Sequence, residues 1–296
     1  MANRVYSVAV RANAGLPLLQ LDRVGDGRFV APHEGDGEAR DVVFGGQMLA
    51  QMIVAATEST PGKRVKSVQA VFARAASYQA PLEIDVDPVH VGRVFGSQSV
   101  RVHQGDRNCV QAIVLLDVAE PDLMNHTPPK PDVAGPQHAA PAPAALVFPG
   151  AEVRVVDGVD TWSPDAPIGP AEQYVWTRLP GGPFDETESQ AILAWATDGY
   201  LIGTAMRPHE GIGQNQAHRS ISTGVISEAL SFHRAFDAGE WLLMALESPY
   251  AGGGRTYGRA HVYTEAGDLV ASFSQENIVR AFSAQSTTGD AHKTVM

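Results

Sequence analysis

A single cysteine, Cys109, stands in 296 residues. That scarcity rules out an internal disulfide framework and any multi-cysteine metal site. Cys109 therefore reads as a small buried hydrophobe on a strand, and the chain suits a reducing, cytoplasmic compartment. Basic residues are also few: 22 Lys and Arg against 33 Asp and Glu give a formal charge of −11. No Lys/Arg run offsets that balance, so a nucleic-acid partner is disfavoured. Long hydrophobic runs are missing, and no stretch reaches the roughly 20 apolar residues of a membrane span. Residues 1–15 mix Arg4 and Arg11 with short apolar pieces and lack the extended apolar region of a secretion signal. Against these shortages, 44% of the residues are hydrophobic, a share typical of globular proteins. At roughly 150 residues per domain the length fits about two domains.

Proline is distributed unevenly. Residues 121–149 hold 8 of the 20 prolines, with Ala runs and no helical period, which reads as a Pro/Ala-rich linker over 121–170. On either side the same unit recurs. In the first half Gly45-Gly46 opens a segment with Met48, Leu49, Met52, Ile53 and Ala56 at helical spacing, closed by Pro61-Gly62. In the second, Asp185, Glu186 and Glu188 lead into Ala191, Ile192, Trp195 and Ala196, with Thr187 and Gln190 at capping-box spacing and Gly199 at the end. Helices are expected over 42–59 and 185–198. Each is followed by an alternating strand ending in Phe-x-Arg, at Phe72 and Phe232, an offset of 160, and later by a Gly-Asp hairpin, at Gly105 and Gly267, an offset of 162. A helix followed by long antiparallel strands, without βαβ alternation, predicts an α+β unit whose curved sheet wraps its helix, present in tandem over 1–120 and 171–296. The two sheets then lie edge to edge or face to face.

Several familiar chemistries have no support. There is no Gly-x-Ser-x-Gly elbow, Walker loop or Gly-x-Gly-x-x-Gly, and neither His33-Glu34 nor His209-Glu210 has a second histidine at zincin spacing. No metal or organic cofactor is expected. Asp198 is the most informative residue, because it falls in the last turn of the second helix, where the macrodipole disfavours a carboxylate by roughly 0.3–1 kcal/mol, amid Trp195, Tyr200 and Leu201. A carboxylate at a frayed helix end reaching water and a buried general base of raised pKa both fit. Gln275 shares a strand face with Ala271, Phe273 and Asn277, which suits either a wet edge strand or buried amides that need partners. Gly45-Gly46 fits both close helix packing and backbone donors for an oxyanion.

Phe44-Gly45-Gly46-Gln47, Phe232-His233-Arg234, Glu240-Trp241-Leu242-Leu243, Glu247-Ser248 and Val270-Ala271-Ser272-x-x-Gln275-Glu276 together resemble the acyl-CoA thioesterase II family. The likeness covers nearly the whole chain outside the linker. It implies a tandem (double) hotdog fold, acyl-CoA as the substrate partner, its hydrolysis to free fatty acid and coenzyme A, and an Asp, Thr, Gln triad that orients the attacking water. A homo-oligomer is the expected assembly, and Arg74, Arg93, Arg234 and Arg255 are the arginines available to coenzyme A's phosphates. The family aspartate falls on Asp198 and the glutamine on Gln275. The threonine falls on Val225, which has no hydroxyl, and the family Asp and His that follow are replaced by Ser227 and Glu228. Thr223, Val225 and Ser227 alternate onto one strand face, so a bulge or register change would present Thr223 or Ser227 instead. The expected catalytic set is Asp198, Gln275 and Thr223. Two other functions stay open: an acyl-CoA-binding protein with a degenerate site, and an enoyl-CoA hydratase, because Asp85-Val86-Asp87-Pro88-Val89-His90 resembles that branch's Asp-x-Asn-Pro-x-His signature. The segment after His90 reads as a bulged strand rather than that branch's helix.

Overall fold

A helix with apolar residues on every side must be covered on every side. In α1 (Gly45–Ser59) every residue from Gly46 to Ala56 is buried. The computed structural model describes residues 16–32, 41–142 and 148–282; the N-terminal stretch 1–15 and the pair His33 and Glu34 lie outside them. The second expected helix is α2 (Glu186–Thr197), buried from Ser189 to its end. Its capping box uses Asp185 and Glu188 rather than Thr187 and Gln190: Asp185 Oδ1 accepts from the Glu188 N–H at 2.8 Å, and Glu188 Oε2 accepts from the Asp185 N–H at 3.0 Å. Gln190 is buried instead, its Nε2 donating to the Val65 carbonyl at 2.9 Å and tying the two halves together. After a turn at 198–200 the chain adds a short helix that the pattern did not announce, α3 (Leu201–Met206).

The first half contributes β1 (Asp22–Gly25), β2 (Arg28–Ala31), β3 (Arg64–Phe72), β4 (Leu82–Val91), β5 (Phe95–Gln104) and β6 (Arg107–Asp117). The segment read as a linker is partly strand, with β7 (Ala140–Pro141) and β8 (Glu152–Val155). The second half supplies β9 (Glu172–Arg178), β10 (Ile221–Phe232), β11 (Leu242–Gly252), β12 (Arg255–Thr264) and β13 (Leu269–Ala281). All of them join one sheet in the order β1-β2-β4-β5-β6-β3-β10-β13-β12-β11-β9-β8-β7. The orders β2-β4-β5-β6-β3 and β10-β13-β12-β11-β9 mirror one another across the β3–β10 pair. The repeat offsets thus describe two hotdog units joined edge to edge, with both helices packed against the curved inner face.

The described parts of the 121–170 segment, 121–142 and 148–170, supply a strap over the opposite face of the second unit. Ala139 and Val156 are buried in a small cluster with Trp176, Leu243, Tyr263 and Leu269, and Trp176 Nε1 donates to the Ala134 carbonyl at 2.9 Å. Proline-rich chain cannot add long strands, but it packs well along aromatic rings. Cys109 is fully buried on β6 and free, with burial raising its thiol pKa, as its isolation in the sequence predicts.

The helices meet backbone to backbone at one point. A Cβ on Gly46 would lie 2.3 Å from the Trp195 carbonyl oxygen and 2.7 Å from the Phe44 ring. Gly46→Ala is therefore expected to destabilise the fold by about 1–3 kcal/mol. Gly224→Ala on β10, where a Cβ meets nothing within 4 Å, is expected to stay within about 0.5 kcal/mol of the parent. Urea unfolding midpoints for the two variants check the contrast.

Candidate active site

Helix α1 begins without a side-chain cap, since Phe44 precedes it and offers no acceptor. The acceptor comes from the far end of the other helix. Asp198, the C-cap residue of α2, sends its carboxylate across so that Oδ2 accepts the Gly46 N–H at 3.0 Å, with the Gly45 N–H also bonded to it. Gly45 is open enough for this approach only as glycine: a Cβ there would sit 2.7 Å from Asp198 Oδ2. Asp198 thus lies at the unfavourable end of its own helix dipole and at the favourable end of α1's. Burial dominates, and the carboxyl pKa is pushed up to about 7 against the lowering effect of the two N–H donors. The Gly45-Gly46 donors expected to meet an oxyanion are therefore engaged by Asp198.

The rest of the site comes from the sheet floor beneath α2. Strand β13 turns Phe273, Gln275 and Asn277 inward, all buried. Opposite it, β10 changes register: Val225 pairs with Asn277, Ser227 with Glu276 and Glu228 with Gln275. The extra residue at Ile226 is a bulge, which the sequence allows for, but it delivers a different side chain from those anticipated. With the bulge in place, Val225 and Glu228 both face inward, and Ser227 does not lie opposite an inward residue. Glu228 is 3% exposed. Its Oε1 lies 2.5 Å from Thr197 Oγ1, and its Oε2 accepts from Gln275 Nε2 at 2.8 Å. The second Gln275 amide proton goes to the Thr197 carbonyl at 3.0 Å, while Gln275 Oε1 is buried with no protein partner. Burial pushes the Glu228 pKa up to about 8, further raised by the charge of Asp198 and opposed by the Thr197 and Gln275 hydrogen bonds.

Of the three residues expected in the site, the structure brings Asp198 and Gln275 to the same floor and carries Thr223 away from it. Thr223 is buried, but its partner on β13 is Val279, four residues past Gln275 and so about 13 Å along the strand. Val225 packs against the main core. Glu228 and Thr197 were not among the expected residues, although Glu228 had a visible signal: it shares the apolar alternation of Leu230 and Phe232, where a carboxylate is out of place. Asp85 is bonded to Arg101 and lies beside His103 on the first unit, and β4 runs through a bulge at Val89 to Val91 as a strand, without the helix a hydratase signature would need. Arg234 is held by Asp268 and Asn125. Among the described residues no group of three or more His, Cys, Asp or Glu is placed to hold a metal ion, and no helix is long and apolar enough to cross a membrane.

Two buried carboxyl groups with raised pKa values set a pH dependence for the fold. Between the ordinary carboxylate range and about pH 7–8 the folded chain holds protons that the unfolded chain has lost, so stability falls as pH rises through that window. Each group contributes a slope of up to about 1.4 kcal/mol per pH unit. Thermal unfolding of the parent and of an Asp198→Asn/Glu228→Gln double variant is expected to show a gap that widens in the variant's favour from pH 5 to pH 8.5. A constant gap would mean that neither carboxyl is held protonated by the fold.

Residues 125–279 match the model of the acyl-CoA thioesterase C-terminal domain, and residues 34–116 match that of the acyl-CoA thioesterase N-terminal domain. The chain is 30% identical over 284 residues to acyl-CoA thioesterase 2 of Haemophilus influenzae, covering 89% of this chain and 96% of that protein. Human acyl-coenzyme A thioesterase 8 is 26% identical, with 80% of each chain covered. Among solved structures, an acyl-CoA thioesterase II, TesB2, from Mycobacterium marinum superposes with a TM-score of 0.72 at 26% identity over 90% of this chain and 97% of that one. A tesB protein from Mycobacterium avium subspecies paratuberculosis gives 0.73 at 23% identity over 88% and 96%, a likeness of fold. With both of its units matched, and with a relative at 30% identity along nearly its whole length, the chain belongs to the acyl-CoA thioesterase family, in its double-hotdog form.

Proposed function

We propose that this chain hydrolyses acyl-CoA thioesters to a free fatty acid and coenzyme A, with Asp198 as the general base and Gln275 as the group that positions the water. The observation that carries the reading is the pairing of a buried, N–H-bonded carboxylate with an adjacent buried amide whose carbonyl oxygen has no partner. In this reading, water attacks the thioester carbonyl carbon as Asp198 takes one of its protons. The carbon–sulfur bond then breaks, and the departing thiolate takes that proton to leave as the coenzyme A thiol. Gln275 Oε1 accepts the water's other O–H and aims its lone pair. No metal or organic cofactor enters the step. Thr223 stands outside this group.

One observation favours a second reading. Val225 occupies the position where the family pattern has its hydroxyl, so an acyl-CoA-binding protein with negligible turnover is the competing outcome. Thiol release followed colorimetrically over a panel of acyl-CoA chain lengths separates the two. We further propose a cytoplasmic homo-oligomer. The strap covers the outer face of the second unit, whereas Val71 and Ile113 on the first unit are 54% and 50% exposed. Sedimentation velocity tests that assembly, and a monomer across the micromolar range would overturn it.

Asp198→Asn is expected to lower kcat by at least about 100-fold, as removal of a general base does. Thr223→Val is expected to hold kcat within a few-fold. Because the base works ionised, kcat/KM of the parent should fall as pH drops below about 7, the value to which burial raises Asp198. An Asp198→Asn enzyme that turns over at the parent rate would remove Asp198 from the mechanism.

A further inference from the structure

We infer that Glu228, held as a neutral carboxylic acid, is the positioning residue that stands in for the hydroxyl missing at Val225 and fixes Gln275 with its carbonyl oxygen free for the water. This assignment rests on the hydrolase reading above for its kinetics, and on hydrogen-bond counting for its protonation state. Thr197 has one hydroxyl proton and two neighbours within bonding distance, the Ala194 carbonyl at 2.7 Å and Glu228 Oε1 at 2.5 Å. If Glu228 were ionised, both neighbours would be acceptors competing for that single proton, and one would go unsatisfied in a buried place. If Glu228 carries the proton on Oε1, it donates to Thr197, Thr197 donates to Ala194, and every group in the chain is satisfied. Oε2 is then the carbonyl end and accepts from Gln275, in agreement with the observed 2.8 Å bond.

The amide of Gln275 follows from this. Both of its N–H bonds are used, on Glu228 and on the Thr197 carbonyl, so its orientation is fixed and its unpartnered Oε1 is the end left for a donor. A side chain that can only accept at that position would hold the same amide, but as an anion it would face Asp198. Among the described residues, the elements around Glu228 offer no compensating cation. Helix α2 contributes Asp198, β13 the neutral amides Gln275 and Asn277, and β3 presents Ala70 directly opposite, flanked by Val68 and Phe72. Asp198 and Glu228 therefore share one negative charge between them in the working state, on Asp198. Loss of the second proton would put two anions on one buried floor and disturb both the base and the amide.

The test combines a pH profile with vibrational spectroscopy on the full chain. The parent is expected to show a bell-shaped kcat profile whose alkaline limb belongs to Glu228. Glu228→Gln reproduces the neutral hydrogen-bond pattern, so it should recover most of the activity that Glu228→Ala loses, about 100-fold in kcat with KM little changed, and its alkaline limb should vanish. In infrared difference spectra at pH 7, the protonated-carboxyl C=O absorption of the parent, which includes a share from Asp198 with its pKa raised to about 7, should lose its Glu228 component in Glu228→Gln. If Glu228→Gln is as impaired as Glu228→Ala, an ionised carboxylate is needed and the assignment is overturned. Parent and both variants sharing one pH profile would overturn it as well. Should the parent release no thiol from any acyl-CoA, the hydrolase reading falls. The infrared band then decides Glu228 alone: a component lost on substitution supports the neutral acid, and its absence from the parent refutes it.

Discussion

One hydrogen-bonded contact organises this molecule, the reach of the Asp198 carboxylate from the end of α2 to the first N–H groups of α1. A buried helix start with no cap of its own would leave donors unsatisfied, at about 1–3 kcal/mol each, and a buried carboxylate without donors would not stay charged. Each defect offsets the other, and together they fix how the two units face one another. Gly45 and Gly46 make the approach possible, and the Gly46–Trp195 backbone contact sets the helix separation. The reciprocal junction is built differently. The start of α2 is capped by its own Asp185 and Glu188 and needs no carboxylate from α1. The tandem repeat thus yields one such acid-bearing junction and not two.

The electrostatics of that junction are a competition rather than a simple stabilisation. Burial raises the pKa of both Asp198 and Glu228, while N–H donors lower Asp198 and neutral hydroxyl and amide donors lower Glu228. Backbone donors at a helix start carry the field of the whole helix, whereas a lone threonine and glutamine do not. That difference orders the two groups, so Asp198 loses its proton first and its charge then holds the proton on Glu228. The fold is strained by keeping both there, because the unfolded chain would ionise each of them near its ordinary value.

The architecture was legible from repetition. Offsets of 160 and 162 between matching Phe-x-Arg and Gly-Asp motifs reflect strands that must superpose, and short-range turn chemistry is read reliably from sequence. What composition could not show was the strap. Proline over 121–170 signals the absence of regular structure, but the docking of Ala139 and Val156 beside Trp176 depends on a sheet face assembled elsewhere in the chain. Asp198 stood out for a correct but partial reason. Its misfit to its own helix was visible, whereas the compensating contact with Gly46 lies 152 residues away and no local pattern encodes it. A bulge was open to the sequence reading, but its place was not: with the shift at Ile226, Thr223 pairs with Val279 while Glu228 comes opposite Gln275. Counting inward from Leu230 and Phe232 instead would have reached Glu228.

The bulge also explains how a strand can lose a hydroxyl and keep a polar floor. It places Val225 and Glu228, three residues apart, on the same inward face, where the family pattern has threonine and histidine. One of the two inward positions has become apolar and packs with the core, and the other carries a group able to take over a hydroxyl's dual role. A carboxylic acid both donates and accepts, as threonine does, but only while it keeps its proton; a carboxylate merely accepts and repels Asp198. Glutamate can therefore serve on this floor only if the surroundings hold it neutral. Ala70, Val68 and Phe72 on β3 supply that low-polarity wall, so the apolar packing along the seam between the two units is itself part of the chemistry of the site.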